Sequence, residues 1–161
     1  MKNIMNEIGL LVRDCGRVIL NADREKMAID IKSGVTDLVT EYDKNIQNQL
    51  QCGLKKILPD AKFIGEEGSN DELTDEGYAF IVDPIDGTTN FIKDYHHSAI
   101  SVALLKGKEV VAGIVYNPYL DELFSAIKGE GAFCNGEKIS VSSQPLSNAL
   151  VLFGTSPYDK E

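Results

Sequence analysis

The chain has 161 residues, 43% of them hydrophobic and 25% charged, with a formal net charge of −9 at pH 7. That length carries one domain with a substantial core, and that charge argues against a nucleic-acid surface, which needs a basic stripe. Cys15, Cys52 and Cys134 show no metal-ligand spacing and read as reduced thiols in a cytoplasm. The apolar run 9–12 is interrupted by Arg13, Asp14 and Arg17, so neither a secretory signal nor a membrane span is expected there.

Ile4, Ile8, Leu11, Val12, Cys15, Val18 and Ile19 recur at helical spacing. They predict an amphipathic helix over the first twenty residues, although Gly9 and Gly16 each cost it about 1 kcal/mol against alanine. Residues 32–34 read as a turn. A second helix is expected from Leu38 or Glu41 to Leu58, with Ile46, Leu50, Leu54 and Ile57 on one face and Pro59-Asp60 as its stop. Residues 62–65 form a short apolar strand, and residues 70–77 an acidic, mobile loop. A buried strand follows over 78–82. Residues 98–106, 109–116 and 122–127 read as a three-strand meander joined by Gly107-Lys108 and the turn 117–121. Residues 139–141 and 150–153 are expected as further short strands. Helices followed by a largely antiparallel sheet give an α+β class.

The strand 78–82 leads into Asp83-Pro84-Ile85-Asp86-Gly87-Thr88-Thr89-Asn90-Phe91. Two carboxylates stand three residues apart across a proline that stiffens the turn. A glycine and two hydroxyls then open an expected helix. Oxygen ligands suit Mg²⁺, and N–H groups at a helix start suit an anion. Glu66 and Glu67 follow the strand 62–65, as Asp83 and Asp86 follow 78–82. With those strands as neighbours, four carboxylates would surround one cleft. Carboxylates that close raise each other's pKa, so a cation is the physical answer to the cluster. Read alone, Glu66-Glu67 also suits an exposed acidic turn, and Asp83 and Asp86 suit turn capping.

The nonapeptide resembles the signature of the inositol monophosphatase family of Mg²⁺-dependent, Li⁺-sensitive sugar-phosphate phosphatases. Three more segments match in order: Asp37-Leu38-Val39-Thr40, Phe63-Ile64-Gly65-Glu66-Glu67, and the Gly-rich stretch GEGAFCNG at 129–136. The resemblance runs from about Lys32 to Val141. It implies a layered α/β sandwich, Mg²⁺ as cofactor, and hydrolysis of inositol monophosphate or a related sugar phosphate by metal-activated water. It implies that Glu66, Asp83 and the carbonyl of Ile85 bind a first Mg²⁺, and that Asp83 and Asp86 share a second. Glu66, Ile85, Asp86, Gly87 and Thr88 would surround the substrate phosphate. Thr88, paired with Asp37, would position the water, with Glu67 in the catalytic set. Thr88 and Asp37 also suit helix N-caps. A homodimer is implied for the full-length form.

Adjacent His96 and His97 would point to opposite faces of a strand, so a surface or packing role is expected rather than one shared ion. The stretch 129–136 lies between strands, so hairpin turns are expected rather than a phosphate loop. The family's fold continues past the length of this chain, with a further aspartate in a segment reading like WDxAA; nothing after Val141 resembles it. The expectation is an N-terminal metal- and phosphate-binding domain over 1–161 without the C-terminal part, slow in turnover. Alternatives are a fructose-1,6-bisphosphatase or a nucleotide 3′-phosphatase within the class. Outside it stands a non-catalytic module that binds metal, phosphate or a partner protein.

Overall fold

The N-terminal apolar stripe becomes helix α1 (Lys2–Leu20) in the computed structural model, which describes residues 1–31, 38–68 and 71–151. Ile8, Val12, Cys15 and Ile19 are buried along one side. Each such side chain contributes about 1.5–3 kcal/mol, which outweighs about 1 kcal/mol for each glycine. Gly16 also has a packing reason: a Cβ there would collide with the Tyr116 ring and stand 3.1 Å from Pro118 Cβ.

Strands β1 (Ile29–Ile31) and β2 (Leu38–Thr40) form an antiparallel ribbon. Three residues are too few to show a period of two, so neither strand is legible in the sequence. The turn expected at 32–34 lies outside the described residues. Strand β2 runs directly into α2 (Glu41–Ile57) through a capping box. The Thr40 hydroxyl accepts from the N–H groups of Tyr42 (3.1 Å) and Asp43 (3.4 Å), and the Asp43 carboxylate takes the Thr40 N–H at 2.8 Å. Ile46, Leu50 and Leu54 are fully buried, and Ile57 half-buried.

A seven-stranded sheet follows in chain order: β3 (Lys62–Gly65), β4 (Tyr78–Asp86), β5 (Ala99–Lys106), β6 (Glu109–Asn117), β7 (Glu122–Ile127), β8 (Gly131–Cys134) and β9 (Glu137–Ile139). Every pair is antiparallel except β3–β4, which is parallel. The short helix α3 (Thr88–Ile92) lies between β4 and β5. Helices α1 and α2 pack on each other and on the sheet, α1 over β6 and α2 over β4. Phe63, Phe80, Val82, Ile100, Val102 and Ile114 meet the helices in one core. The result is the expected class, N-terminal helices on a largely antiparallel sheet.

Four expectations change. Strand β4 does not stop at Val82 but runs through the nonapeptide to Asp86. Strand β9 ends at Ile139; residues 140–151 carry no strand, only a 3-10 turn at Leu146–Asn148. Of the strand expected at 150–153, Leu150 and Val151 are exposed coil, and the remainder lies outside the described residues. The loop 71–77 has no helix or strand but is pinned, because Asp71 and Phe63 bond to each other twice (3.0 and 2.8 Å). The Gly-rich stretch forms β8 and its flanking turns, as its spacing between strands predicts. Among the described residues no helix is long and apolar enough to cross a membrane.

Candidate metal and phosphate site

Strands β3 and β4 pair in parallel from Lys62↔Ala79 to Gly65↔Val82, where β3 ends and β4 runs on to Asp86. The Glu66 N–H donates to the Val82 carbonyl at 3.1 Å, which continues the ladder one step. Glu66 therefore leaves β3 beside Asp83 of β4, and the two carboxyl groups hydrogen-bond to each other. Burial pushes the Asp83 carboxyl up to about 8, and the charges of Glu66 and Asp86 push it the same way. The Ile85 N–H, donating to Asp83 Oδ1 at 3.1 Å, opposes this. A proton is thus retained between oxygens that a cation could bridge instead.

Asp83 and Asp86 would point to opposite faces of a regular strand. They do not, because β4 carries one extra residue between them: Asp83 pairs with Ser101, and Asp86 with Ala99. The bulge restores both aspartates to the side away from the helices. Pro84, which has no N–H to contribute to a ladder, sits within it. Ile85 is buried and anchors the bulge from the core side.

Gly87 follows with φ +90° and caps α3. A Cβ there would stand 3.0 Å from the His97 carbonyl, so this turn needs glycine. The Thr88 hydroxyl lies 3.1 Å from the Ile85 carbonyl and 3.2 Å from Asp43 Oδ1. Asp43 is fully buried at the start of α2, and its Oδ2 accepts from the Thr40 N–H (2.8 Å) and hydroxyl (2.5 Å). Burial raises its pKa against those hydrogen bonds, which lower it.

Asp37, expected beside Thr88, lies outside the described residues; the carboxylate on the Thr88 hydroxyl belongs to Asp43. A sequence signal for it exists. Asp43 falls on the apolar face of α2 with Ile46 and Leu50, and a carboxylate on a buried face needs partners. Gln47, one turn further on, also escaped notice. Its Oε1 accepts from the Glu67 N–H at 2.8 Å, and its Nε2 donates to the Glu67 carbonyl. Glu67 itself is half-buried, and its charge adds to that of Asp30 in raising the pKa of Lys44.

The fold thus brings Glu66 and Asp83 into contact, sets Asp86 on their side of the sheet, and joins Thr88 to Asp43. Among the described residues no three acidic, histidine or cysteine side chains converge closely enough to chelate one ion. Two touching carboxylates with a third nearby still fit Mg²⁺, which takes one or two carboxylates and keeps several waters. A cleft of about 220 Å³ opens beside them, lined by Asp86, Gly87, Asn90, His97, Ser98 and Asn117. His96 and His97 sit in a loop rather than on a strand, and both are exposed. His96 stacks on Tyr119 (4.9 Å between rings) and contacts Asp94 at 3.2 Å, a packing role.

Residues 4–161 match the family model described as the inositol monophosphatase family. "Inositol monophosphatase 2" of Solanum lycopersicum is 46% identical over 145 residues, which cover 86% of this chain and 54% of the relative. The extragenic suppressor protein suhB of Bartonella henselae superposes with a TM-score of 0.81 at 32% identity, covering 88% of this chain and 55% of that structure. An IMPase/NADP phosphatase solved with Mg²⁺ and phosphate gives 0.77 at 35% identity, covering 85% and 52%. The chain spans about half the length of the relatives it matches.

Proposed function

Because the chain belongs to the inositol monophosphatase family, we propose that it holds the metal and phosphate site of a Mg²⁺-dependent phosphomonoesterase acting on inositol monophosphate or a related sugar phosphate. The observation that carries this reading is the contact of Glu66 with Asp83 where β3 ends against β4, beside the Thr88–Asp43 pair. Glu66 and Asp83 would hold the ion, with Asp86 on the same side for a second. When bound, Mg²⁺ neutralises charge on the phosphate and lowers the pKa of water.

The remaining chemistry falls to the chain's own side chains. The Thr88 hydroxyl has one hydrogen and, among the described residues, two acceptors in reach. When it donates to Asp43, its lone pairs are free to accept from a water and orient it. A buried Asp43 with a raised pKa is a competent resting place for the proton that water gives up. Gly87, lacking a side chain at the opening of α3, lets a phosphate oxygen approach the backbone.

The test is Mg²⁺ calorimetry on the wild type and Asp83→Asn, with phosphate release from inositol monophosphate, fructose 1,6-bisphosphate, a 3′-phosphonucleotide and NADP. NADP is included because of the similar IMPase/NADP phosphatase. Mg²⁺ binding weakened in the variant and release greatest from the inositol ester are expected. Equal binding by both proteins would refute the metal site, and release greatest from another ester would reassign the substrate. Binding without release of any phosphate would favour the non-catalytic alternative.

A further inference from the structure

We propose that Gln47 is the positioning residue for the Glu66–Glu67 turn, and through it for the carboxylates that take the divalent cation; this rests on the metal reading above. Gln47 is buried and is not one of the residues lining the cleft. Both ends of its amide serve one residue: Oε1 accepts the Glu67 N–H at 2.8 Å, and Nε2 donates to the Glu67 carbonyl. Only a side chain with a donor and an acceptor side by side can answer both groups of one residue. Glutamate would lack the donor, and leucine would lack both.

Gly65 provides the room for this clamp. A Cβ at that position would run into the Gln47 amide, although the Gly65 backbone is not in the left-handed region and would accept alanine without strain of its own. Glu66 therefore lies between a glycine that cradles Gln47 and a residue that Gln47 grips. On its other side its own N–H is fixed to the Val82 carbonyl at 3.1 Å. Asp43 and Gln47 are one helical turn apart on the same face of α2. One rigid helical segment thus sets both Thr88, through Asp43, and the carboxylate turn, through Gln47. Gln47 acts on affinity and geometry without touching the cation.

The experiment uses the 161-residue protein with Mg²⁺ alone as probe. Calorimetry and metal-free hydrogen exchange at residues 66–68 are compared for the wild type, Gln47→Glu, Gln47→Leu, Gly65→Ala and a control, Ile46→Val. The control shortens a fully buried neighbour on the same helix. Affinity is expected to fall about 10- to 100-fold in the Gln47 variants, the usual loss when a partner behind the ligands is removed. The Glu67 amide should exchange faster, and Gly65→Ala should reproduce both effects with the glutamine still present. Ile46→Val should lower the melting temperature but leave affinity and the 66–68 exchange unchanged. If Gln47→Leu fails to fold, Gln47→Glu and Gly65→Ala carry the comparison. Wild-type binding with unchanged affinity in the variants overturns the role of Gln47 alone, as does an equal loss in the control. A wild type that binds no Mg²⁺ overturns the metal reading and this proposal together.

Discussion

Asp43 separates two contributions, charge and hydrogen bonding, because alanine removes both while asparagine removes the charge and keeps most of the hydrogen bonds. Asp43→Ala removes the acceptor of the Thr40 N–H inside a buried network. An orphaned buried donor costs about 1–3 kcal/mol, and the lost half of the capping box adds about 1 kcal/mol. The total of about 2–4 kcal/mol corresponds to a melting temperature lower by about 4–16 °C for a chain of this size. Asp43→Asn behaves differently. Its amide oxygen can face Thr40 and accept both groups there, while its NH₂ donates to the Thr88 oxygen. Thr88 then gives its hydrogen to the Ile85 carbonyl, 3.1 Å away. The groups of Thr40, Thr88 and Ile85 all keep partners, and the second amide hydrogen is the one donor added without an acceptor, so the cost is expected at about 1–2 kcal/mol, below that of alanine. The same rearrangement turns the Thr88 hydrogen away and removes the carboxylate that would receive a proton. Urea melts of the three proteins, read beside phosphate release, make the check. An asparagine variant as unstable as the alanine variant would show that the charge of Asp43, not its hydrogen bonding, holds α2 to α3. An asparagine variant with wild-type turnover would show that Asp43 plays no part in moving the proton.

Three further outcomes follow from the same geometry. The folded-state pKa of Asp83 is raised above 3.8, to about 8. The stability this retained proton supplies is therefore complete below about pH 4 and is lost as pH climbs through about 8. Denaturant melts in chelator should show that loss in the wild type and not in Asp83→Asn; parallel profiles would refute the pairing with Glu66. Thr88→Ala should cut phosphate release by about 10²-fold or more with Mg²⁺ affinity little changed, and near-normal turnover would leave Thr88 only a structural role. Gly87→Ala, with φ +90° and the His97 carbonyl 3.0 Å from the new Cβ, should cost about 1–3 kcal/mol. An unfolding free energy equal to the wild type's would show that the turn relaxes freely.

Periodicity alone located α1, α2 and the meander of β5, β6 and β7, because a stripe such as Ile8-Val12-Cys15-Ile19 or an alternation such as Ile100-Val102-Leu104 is local information. The nonapeptide and Glu66-Glu67 likewise pointed to an oxygen-rich site, since two pairs of carboxylates each follow an apolar strand. The three-residue strands β1 and β2 were too short to leave such a trace. Other features depended on packing between distant segments. The parallel pairing of β3 with β4 is what sets Glu66 against Asp83, and no spacing within either strand encodes it. The bulge at Pro84 and Ile85 reverses the parity that counting residues from Asp83 to Asp86 would give. The partner of Thr88 is an aspartate 45 positions earlier, chosen because α2 lies over β4 and turns Asp43 toward the opening of α3. Residue types and local periods are written along the chain; which carboxylate meets which hydroxyl is settled only when helix and sheet close on a common core.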